Sequence, residues 1–149
     1  MSAKIRPVQP QEKARWEEMF RAYGKFYKVE VTPEAVEGVW AWINDPNEPF
    51  WCDVAENDEG KLTGMTQYQM MHRSLGGSMV VYLSDLYVDP ELRGGGIGRA
   101  LIEHVLAFAK AKGAPSVRWL TQDFNYKGRM LYDSFAPKSD FILYNVPVK

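Results

Sequence analysis

The chain has one cysteine, two histidines and no long apolar run, and each scarcity excludes a class of protein. Cys52 alone cannot form a disulfide within the chain, which suits a reducing compartment and predicts a cytoplasmic protein. Two isolated histidines, His72 and His104, without a Cys/His cluster at metal-ligand spacing, predict no metal site. Because no run of about 18 apolar residues occurs and residues 1–11 are polar, we expect neither a membrane span nor a secretory signal.

Composition and charge predict one soluble domain without a nucleic-acid partner. The 149 residues are 46% hydrophobic and 25% charged, and the net charge is −1. The charges are unevenly distributed: residues 29–60 hold nine acids and no Lys or Arg, whereas residues 91–149 hold nine Lys or Arg against five acids. The acidic run is either a solvated face or a rim for a cationic acceptor, with the basic half serving phosphates.

The most informative stretch runs from Tyr82 to Leu101. It begins as an apolar, β-branched and aromatic run that predicts a buried strand, which Pro90 ends. Four glycines follow within residues 94–98, and a helix with apolar periodicity is predicted from Ile97 to Lys112. The first amides of such a helix point outward, and glycines allow close backbone approach, so the stretch predicts a pyrophosphate site. It is neither a P-loop, since no Gly-Lys-Ser/Thr follows, nor a good Rossmann fingerprint.

The other patterns predict an α/β domain with the order β-α-α-β-β-β-α-β-α-β. The predicted strands are 4–8, 50–56, 62–71, 78–88, 116–121 and 141–146, and the predicted helices are 11–23, 32–44, 97–112 and one from Asp123 or Asn125 to Phe135. Thr32 followed by Pro33 predicts a helix N-terminus, and Gly24 predicts the end of the first helix.

Two motifs resemble those of the GNAT superfamily of N-acetyltransferases. Arg93, Gly96 and Gly98, preceded by Leu-Tyr-Val-Asp-Pro, resemble its Arg-x-x-Gly-x-Gly motif for acetyl-CoA, and residues 125–132 resemble its second motif. The closing run from Gly113 to Tyr144 resembles the small histone and polyamine acetyltransferase subgroup. The resemblance covers most of residues 50–149, and the first 50 residues resemble no family. It implies a single-domain, mixed and mostly antiparallel sheet with a central splayed strand pair, flanked by about four helices, and a homodimer.

The resemblance also implies roles for individual residues. The strand end binds the pantetheine arm through its backbone, the glycine loop binds the pyrophosphate, and Asn125 contacts coenzyme A, while Tyr132 acts as general acid on the departing thiolate. The implied cofactor-binding residues of the strand and loop are Leu86, Tyr87, Val88, Arg93, Gly94, Gly95, Gly96, Ile97, Gly98 and Arg99. Gly128, Phe124, Ala136 and Asp140 depart from the usual pattern, which leaves the acceptor more open than the cofactor.

Proton transfer from the amine needs a base, because an alkylamine with a pKa near 10.4 is mostly protonated at neutral pH. Asp85 is the nearest acid in sequence to the proposed thioester site, and Glu56 or a water chain are rivals. Asp85 can equally be a buried structural acceptor, and alternation places it on one face with Leu83 and Tyr87. His104 lies on the apolar helix face, which predicts simple packing. A Cys52 nucleophile is set aside, because direct attack needs none.

We therefore expect acetyl transfer from acetyl-CoA to a primary amine by direct attack in a ternary complex. The alternative is a non-catalytic acyl-CoA-binding sensor or interaction module. A polyamine, an amino acid, a lysine side chain and an aminated drug all remain open as acceptors. The aromatic residues among the acids suit a cationic amine, or else they form the core; they are Tyr23, Phe26, Tyr27, Trp40, Trp42 and Trp51.

Overall fold

The computed structural model describes residues 3–92 and 95–149. Arg93 and Gly94, both predicted to bind the cofactor, lie outside the described residues. The chain forms two compact units, Met1–Trp119 and Leu120–Lys149.

The described residues of the first unit form five strands and three α-helices, and those of the second form one α-helix. The strands are β1 (Lys4–Pro7), β2 (Phe50–Glu56), β3 (Leu62–Arg73), β4 (Ser78–Val88) and β5 (Val117–Arg118). The helices are α1 (Lys13–Phe26), α2 (Pro33–Asn44), α3 (Ile97–Ala111) and α4 (Tyr126–Asp133), with short 3-10 turns at Pro10–Glu12 and Ser74–Gly76.

The strands form one sheet in the order β1-β2-β3-β4-β5. The first three pairings are antiparallel, and β4 pairs with β5 in parallel. The prediction of an α/β fold with a mixed, mostly antiparallel sheet is confirmed. The parallel pairing ends at Tyr82 opposite Arg118, so β4 and β5 separate after Tyr82.

Helices cover both faces of the sheet. On one face α1 and α2 pack over β2, β3 and β4, and their core includes Trp16, Met19, Val36 and Met65. On the other face α3 packs over β3 and β4 through four buried residues, which are Leu101, Ile102, Val105 and Ala109. The amphipathic pattern of each helix therefore selects the face of the sheet that it covers.

Local sequence signals place most element ends correctly. The Thr32 hydroxyl accepts a hydrogen bond from the Ala35 amide (3.1 Å), which confirms the predicted N-cap of α2. Helix α1 continues past Gly24 to Phe26, so the predicted end is wrong. A Cβ at Gly24 would lie 2.5 Å from Val31, which shows that this glycine makes room for the following loop.

The C-terminal predictions are the least accurate. The strand predicted at 116–121 is reduced to Val117–Arg118, and residues 141–146 form no strand. The apolar and aromatic composition of 141–146 supplies strand propensity, but a strand exists only where a neighbour pairs with its backbone. This part of the chain has the composition of a strand without the pairing.

Candidate active site

The end of β4 offers backbone groups on the side away from β3. Leu86, Tyr87 and Val88 pair with β3, whereas β5 pairs with β4 only at Val81 and Tyr82 within the described chain. Among residues 3–92 and 95–149, no strand therefore pairs with the backbone beyond Tyr82 along the edge that faces β5. An amide-rich arm such as pantetheine can pair with that edge as an added strand.

A β-bulge in β4 changes which side chains share a face of the sheet. Gln67 lies opposite Asp85 and Tyr68 lies opposite Leu83, so Ser84 is the extra residue. Residues directly opposite each other share a face, and Gln67 and Tyr68 point to opposite faces. Asp85 therefore lies on the α1 face with Tyr87, as expected, but Leu83 lies on the other face. The alternation across Leu83 was predicted wrongly because the bulge breaks it.

The turn between β4 and α3 is held by Asp89. The Asp89 carboxylate accepts hydrogen bonds from Arg15 in α1 (2.9 Å) and from the Glu91 amide (3.0 Å), while the Asp89 amide donates to the Thr63 carbonyl (2.9 Å). The hydrogen bond from Arg15 lowers the pKa of Asp89. The chain therefore leaves the sheet in a fixed direction just before the glycine turn.

The described part of the glycine turn has the backbone that the sequence predicts. Gly95 and Gly96 have φ of 69° and 72°, in the left-handed region, and Gly96 is the N-cap of α3. Among the described residues, and apart from its chain neighbours, no atom lies within 4 Å of a Cβ built on Gly96. Ile97, Gly98 and Arg99 form the first turn of α3, where amides have no partner within the helix. Such a terminus favours an anion.

Asp85 is a partly buried carboxylate with neutral hydrogen-bond donors. The Gln67 side-chain amide donates to Asp85 Oδ2 (2.7 Å), and the Tyr23 hydroxyl of α1 also forms a hydrogen bond with this carboxylate. Burial raises the pKa of Asp85, and the two hydrogen bonds oppose that rise. A carboxylate whose pKa is raised is a better proton acceptor near neutral pH than an exposed one.

The rival groups have structural partners. Glu56 accepts a hydrogen bond from the guanidinium of Arg6 (2.9 Å) in an ion pair that joins β2 to β1. Cys52 is buried in the core on the α1 face, and burial raises the pKa of its thiol well above the ordinary value. A nucleophilic thiolate is therefore disfavoured at Cys52.

A second buried carboxylate, Asp53, lies on the α3 face of the sheet. Asp53 Oδ2 accepts a hydrogen bond from the Tyr68 hydroxyl (2.5 Å) and lies 2.9 Å from His104 Nε2. The hydrogen bond between His104 and Asp53 raises the pKa of His104, so the imidazole more readily carries a positive charge beside the Asp53 carboxylate. His104 was expected only to pack on the sheet; it instead links α3 to β2 by a polar contact.

Asn125 and Tyr132 lie in the second unit, at the start and near the end of α4. Asn125 is the N-cap of the helix: its Oδ1 accepts from the Gly128 amide (3.2 Å) and its Nδ2 donates to Thr121 (2.9 Å). A Cβ at Gly128 would lie 2.5 Å from the side-chain nitrogen Nδ2 of Asn125, which explains glycine at this position. Seven residues span about two helical turns, so Tyr132 lies on the same face as Asn125. Their predicted roles stay predictions.

An open groove of about 480 Å³ lies at the C-terminal end of α1. Its lining residues are Arg21, Lys25, Lys28, Val29, Glu30 and Val31. Tyr23, whose hydroxyl also donates to the Ser84 carbonyl (3.1 Å), is two residues from both Arg21 and Lys25. Two residues correspond to about 200° around a helix, so the groove lies on the side of α1 away from Asp85.

No cluster of three or more His, Cys, Asp or Glu side chains that could hold a metal occurs in residues 3–92 or 95–149. Within the same ranges, none of the helices has the length and apolar character needed to cross a bilayer.

Sequence reasoning missed the residues that surround Asp85. Gln67 was not singled out, although a glutamine in the middle of a predicted strand is itself a sign of a buried polar contact. Trp16, which contacts Gln67, and Arg15, which contacts Asp89, lie in the segment for which no resemblance was found.

Comparisons with known proteins find similarity along most of the chain. The family model described as "Acetyltransferase (GNAT) family" matches residues 16–136, so the match extends well into the first 50 residues. The chain is 32% identical over 141 residues to the D-amino-acid N-acetyltransferase HPA3 of Saccharomyces cerevisiae, which covers 94% of this chain and 88% of that protein. It is 37% identical over 93 residues to the thialysine N-epsilon-acetyltransferase of Mus musculus, which covers 58% and 54% of the two chains.

A solved structure described as a probable acetyltransferase superposes with a TM-score of 0.84 at 23% identity, over 98% of each chain. At this level of identity the superposition shows a shared fold.

Proposed function

Because the chain belongs to the GNAT family of acetyltransferases, we propose that it transfers the acetyl group of acetyl-CoA to a primary amine by direct attack in a ternary complex. The observation that most supports acetyl-CoA as the donor is the succession of an open strand edge, a left-handed glycine turn and a helix N-terminus in one continuous stretch. The edge suits the pantetheine amides, and the helix start suits the pyrophosphate.

The reaction requires two proton transfers. The neutral amine attacks the thioester carbonyl carbon, the carbon–sulfur bond breaks, and the amine loses one proton while the thiolate gains one. We assign the acceptance of the amine proton to Asp85, because it is partly buried and has only neutral donors around it. We assign the proton donor for the thiolate to Tyr132, on its spacing from Asn125 and on the family resemblance.

We propose that the acceptor is a small cationic amine, with amino acids and diamines as the first candidates. Two aromatic rings at the end of α1, Tyr23 and Tyr27, lie 5.1 Å apart, and Tyr23 forms a hydrogen bond with Asp85. Aromatic faces beside a carboxylate suit an ammonium group. The names of two relatives, which specify D-amino acids and thialysine, point to the same class.

The test is thiol release from acetyl-CoA with a panel of amines. The panel contains D- and L-amino acids, thialysine, spermidine, a lysine peptide and an aminoglycoside, and mass spectrometry identifies the acetylated product. We expect amine-dependent thiol release with at least one small amine. If acetyl-CoA binds and no amine yields thiol, the chain is an acyl-CoA-binding module.

The glycine turn has a matched control in the β3–β4 hairpin. Gly96 and Gly77 both have positive φ (72° and 60°), and a Cβ at either meets no atom of the described part of the chain within 4 Å, chain neighbours aside. The Gly96→Asp and Gly77→Asp variants therefore carry similar backbone strain of about 1–3 kcal/mol. We expect acetyl-CoA affinity, measured by calorimetry, to fall at least about tenfold in Gly96→Asp only, because the new charge faces the pyrophosphate. Equal affinities would reject the proposed phosphate site.

The role of Tyr132 is tested by Tyr132→Phe. We expect kcat to fall about 10²-fold or more with little change in acetyl-CoA affinity, since only the acidic proton is removed. Equal losses in both quantities would assign Tyr132 to packing.

A further inference from the structure

A chain of buried hydrogen bonds links α1 to Asp85 through β3. The Trp16 indole nitrogen donates to Gln67 Oε1 (2.8 Å), and Gln67 Nε2 donates to Asp85 Oδ2 (2.7 Å). Trp16 and Gln67 are both 0% exposed, so water does not replace either partner. The first bond joins residues that are 51 positions apart in the chain, and the second joins residues that are 18 positions apart. Together they connect Trp16 to the Asp85 carboxylate through Gln67.

The indole fixes the orientation of the glutamine amide. An indole N–H can only donate, so Gln67 must present its oxygen to Trp16 and its NH₂ group to Asp85. Rotating the amide by 180° would place two donors against each other and an oxygen against a carboxylate. Each unsatisfied buried group is costly, so the observed orientation is strongly preferred. Asp85 therefore always meets a donor from Gln67.

A second contact from the same helix supports this arrangement. Tyr23, seven residues after Trp16, lies on the same face of α1 and also forms a hydrogen bond with the Asp85 carboxylate. The Ser84 bulge brings both contacts within reach. The Tyr23 hydroxyl shares its single proton between the Asp85 carboxylate and the Ser84 carbonyl (3.1 Å), and the Ser84 hydroxyl donates to the Gln67 carbonyl (3.2 Å). Two turns of α1 thus act on one carboxylate.

We propose that Gln67, oriented by Trp16, is a positioning residue that holds the Asp85 carboxylate in one conformation and in its proton-accepting form. The inference rests on the proposed function, because it gives Asp85 its role in acetyl transfer. A buried carboxylate without these donors takes up a proton more readily and then cannot accept one from the amine. Helix α1 thereby influences the reaction through hydrogen bonds within the protein.

The groups around Asp85 allow its titration to be observed separately. Tyr23 of α1 and Gln67 of β3 are its neutral donors. Tyr82 of β4 and Cys52 of β2 also sense its charge, and burial raises the pKa of both groups, so both lose their protons only in alkaline solution. His104, which titrates nearer neutrality, contacts Asp53 on the opposite face of the sheet. Asp89, just after the end of β4, also contacts α1 through Arg15, which lowers the pKa of Asp89, so the Asp85 signal is identified as the carboxyl resonance that the Asp85→Asn variant lacks.

The experiment compares the pKa of Asp85, measured by ¹³C NMR of the side-chain carboxyl, in the wild type and in Gln67→Met. Loss of the donor should raise that pKa by about one to two pH units. In Gln67→Glu the second carboxylate should raise it as well, and this variant keeps the acceptor for Trp16. Thr63→Val is the matched control, because Thr63 is a buried residue of the same strand whose hydroxyl donates to Ala55 (3.3 Å). It should leave the titration unchanged.

In the kinetic readout, the acid limb of kcat/KM should move to higher pH in Gln67→Met by the same shift of about one to two pH units, and activity on the alkaline side of that limb should match the wild type. An unchanged Asp85 pKa in both Gln67 variants would overturn the proposal, as would an equal shift in Thr63→Val. The titration needs no turnover, so it decides the role of Gln67 even where the amine panel yields no thiol and the proposed function fails.

Discussion

The two faces of the sheet each bury a carboxylate, and the two carboxylates have different partners. On the α1 face, Asp85 receives hydrogen bonds from the neutral groups of Gln67 and Tyr23. On the α3 face, Asp53 contacts Tyr68 and also the titratable imidazole of His104. Each carboxylate contacts a tyrosine hydroxyl. The two sites differ in the other partner, which is the amide of Gln67 at Asp85 and the imidazole of His104 at Asp53.

We propose that this difference separates a group available for chemistry, Asp85, from one used in structure, Asp53. Burial raises the pKa of Asp85, and the hydrogen bonds from its neutral donors lower it by less, so the pKa remains raised. The partner of Asp53 can instead become a cation, since the hydrogen bond to Asp53 raises the pKa of His104. A buried charge paired with an opposite charge is a linkage between elements, whereas a buried charge with neutral donors can exchange a proton with substrate.

The largest expected effect contrasts the two carboxylates directly. Asp85→Asn should lower kcat about 10²–10⁴-fold, because it removes the proposed proton acceptor and keeps the shape of the side chain. Its melting temperature should stay the same or rise at neutral pH, since a raised carboxyl pKa means that folding penalises the charged form. Asp53→Asn, as the control, should retain kcat within a few-fold per folded molecule. A similar loss of kcat in both variants would remove the functional distinction.

The next effect concerns stability on the α3 face. Tyr68→Phe removes the hydroxyl that donates to Asp53, and we expect the free energy of unfolding to fall by about 1–3 kcal/mol. Urea denaturation monitored by circular dichroism measures the change. Tyr82→Phe is a suitable control because no side-chain hydrogen bond from its hydroxyl to a described residue is seen in the structure. An equal loss of unfolding free energy in both variants would show that the hydrogen bond from Tyr68 to Asp53 does not contribute measurably to stability.

The smallest effect is the pH dependence of the His104 contact. A raised pKa in the folded state means that the contribution of His104 is fully present below its unfolded pKa of about 6.5 and is lost as pH rises through the folded value. His104→Gln should therefore reduce stability at pH 5.5 more than at pH 8.5. Because His104 is partly exposed, we expect a difference of at most about 1 kcal/mol between the two conditions. Denaturation at both pH values, with His72→Gln as the control, checks this.

Local chemistry explains which parts of the fold were predictable. The cap at Thr32, the strand Phe50–Glu56 and the helix start at Ile97 follow from hydrogen-bonding and conformational preferences of neighbouring residues, and the structure confirms all three. The end of α1 and the missing strand at 141–146 depend on what another segment does, and both were predicted wrongly. The conformational propensity of a segment can be read from its own residues, whereas strand pairing and helix packing also depend on a second segment elsewhere in the chain.

The candidate site shows the same division. The glycine turn was predictable because consecutive glycines favour a backbone with positive φ, and Gly95 and Gly96 have the expected left-handed φ. Asp85 could be selected as the acid nearest in sequence to the proposed thioester site. Its partners could not, since the contact of Trp16 with Gln67 joins residues 51 positions apart and the Ser84 bulge arises from the register of β3 against β4. The environment that sets the chemistry of Asp85 is tertiary.

The most direct test of the central claim, that Asp85 accepts the proton of the amine, is the pH profile of kcat/KM calculated per concentration of neutral amine. In the wild type we predict an acid limb with a midpoint above the ordinary aspartate pKa of about 3.9, because burial raises the pKa of Asp85. In Asp85→Asn the residual activity should show no such limb. The same acid limb, with the same midpoint, in both proteins would contradict the assignment.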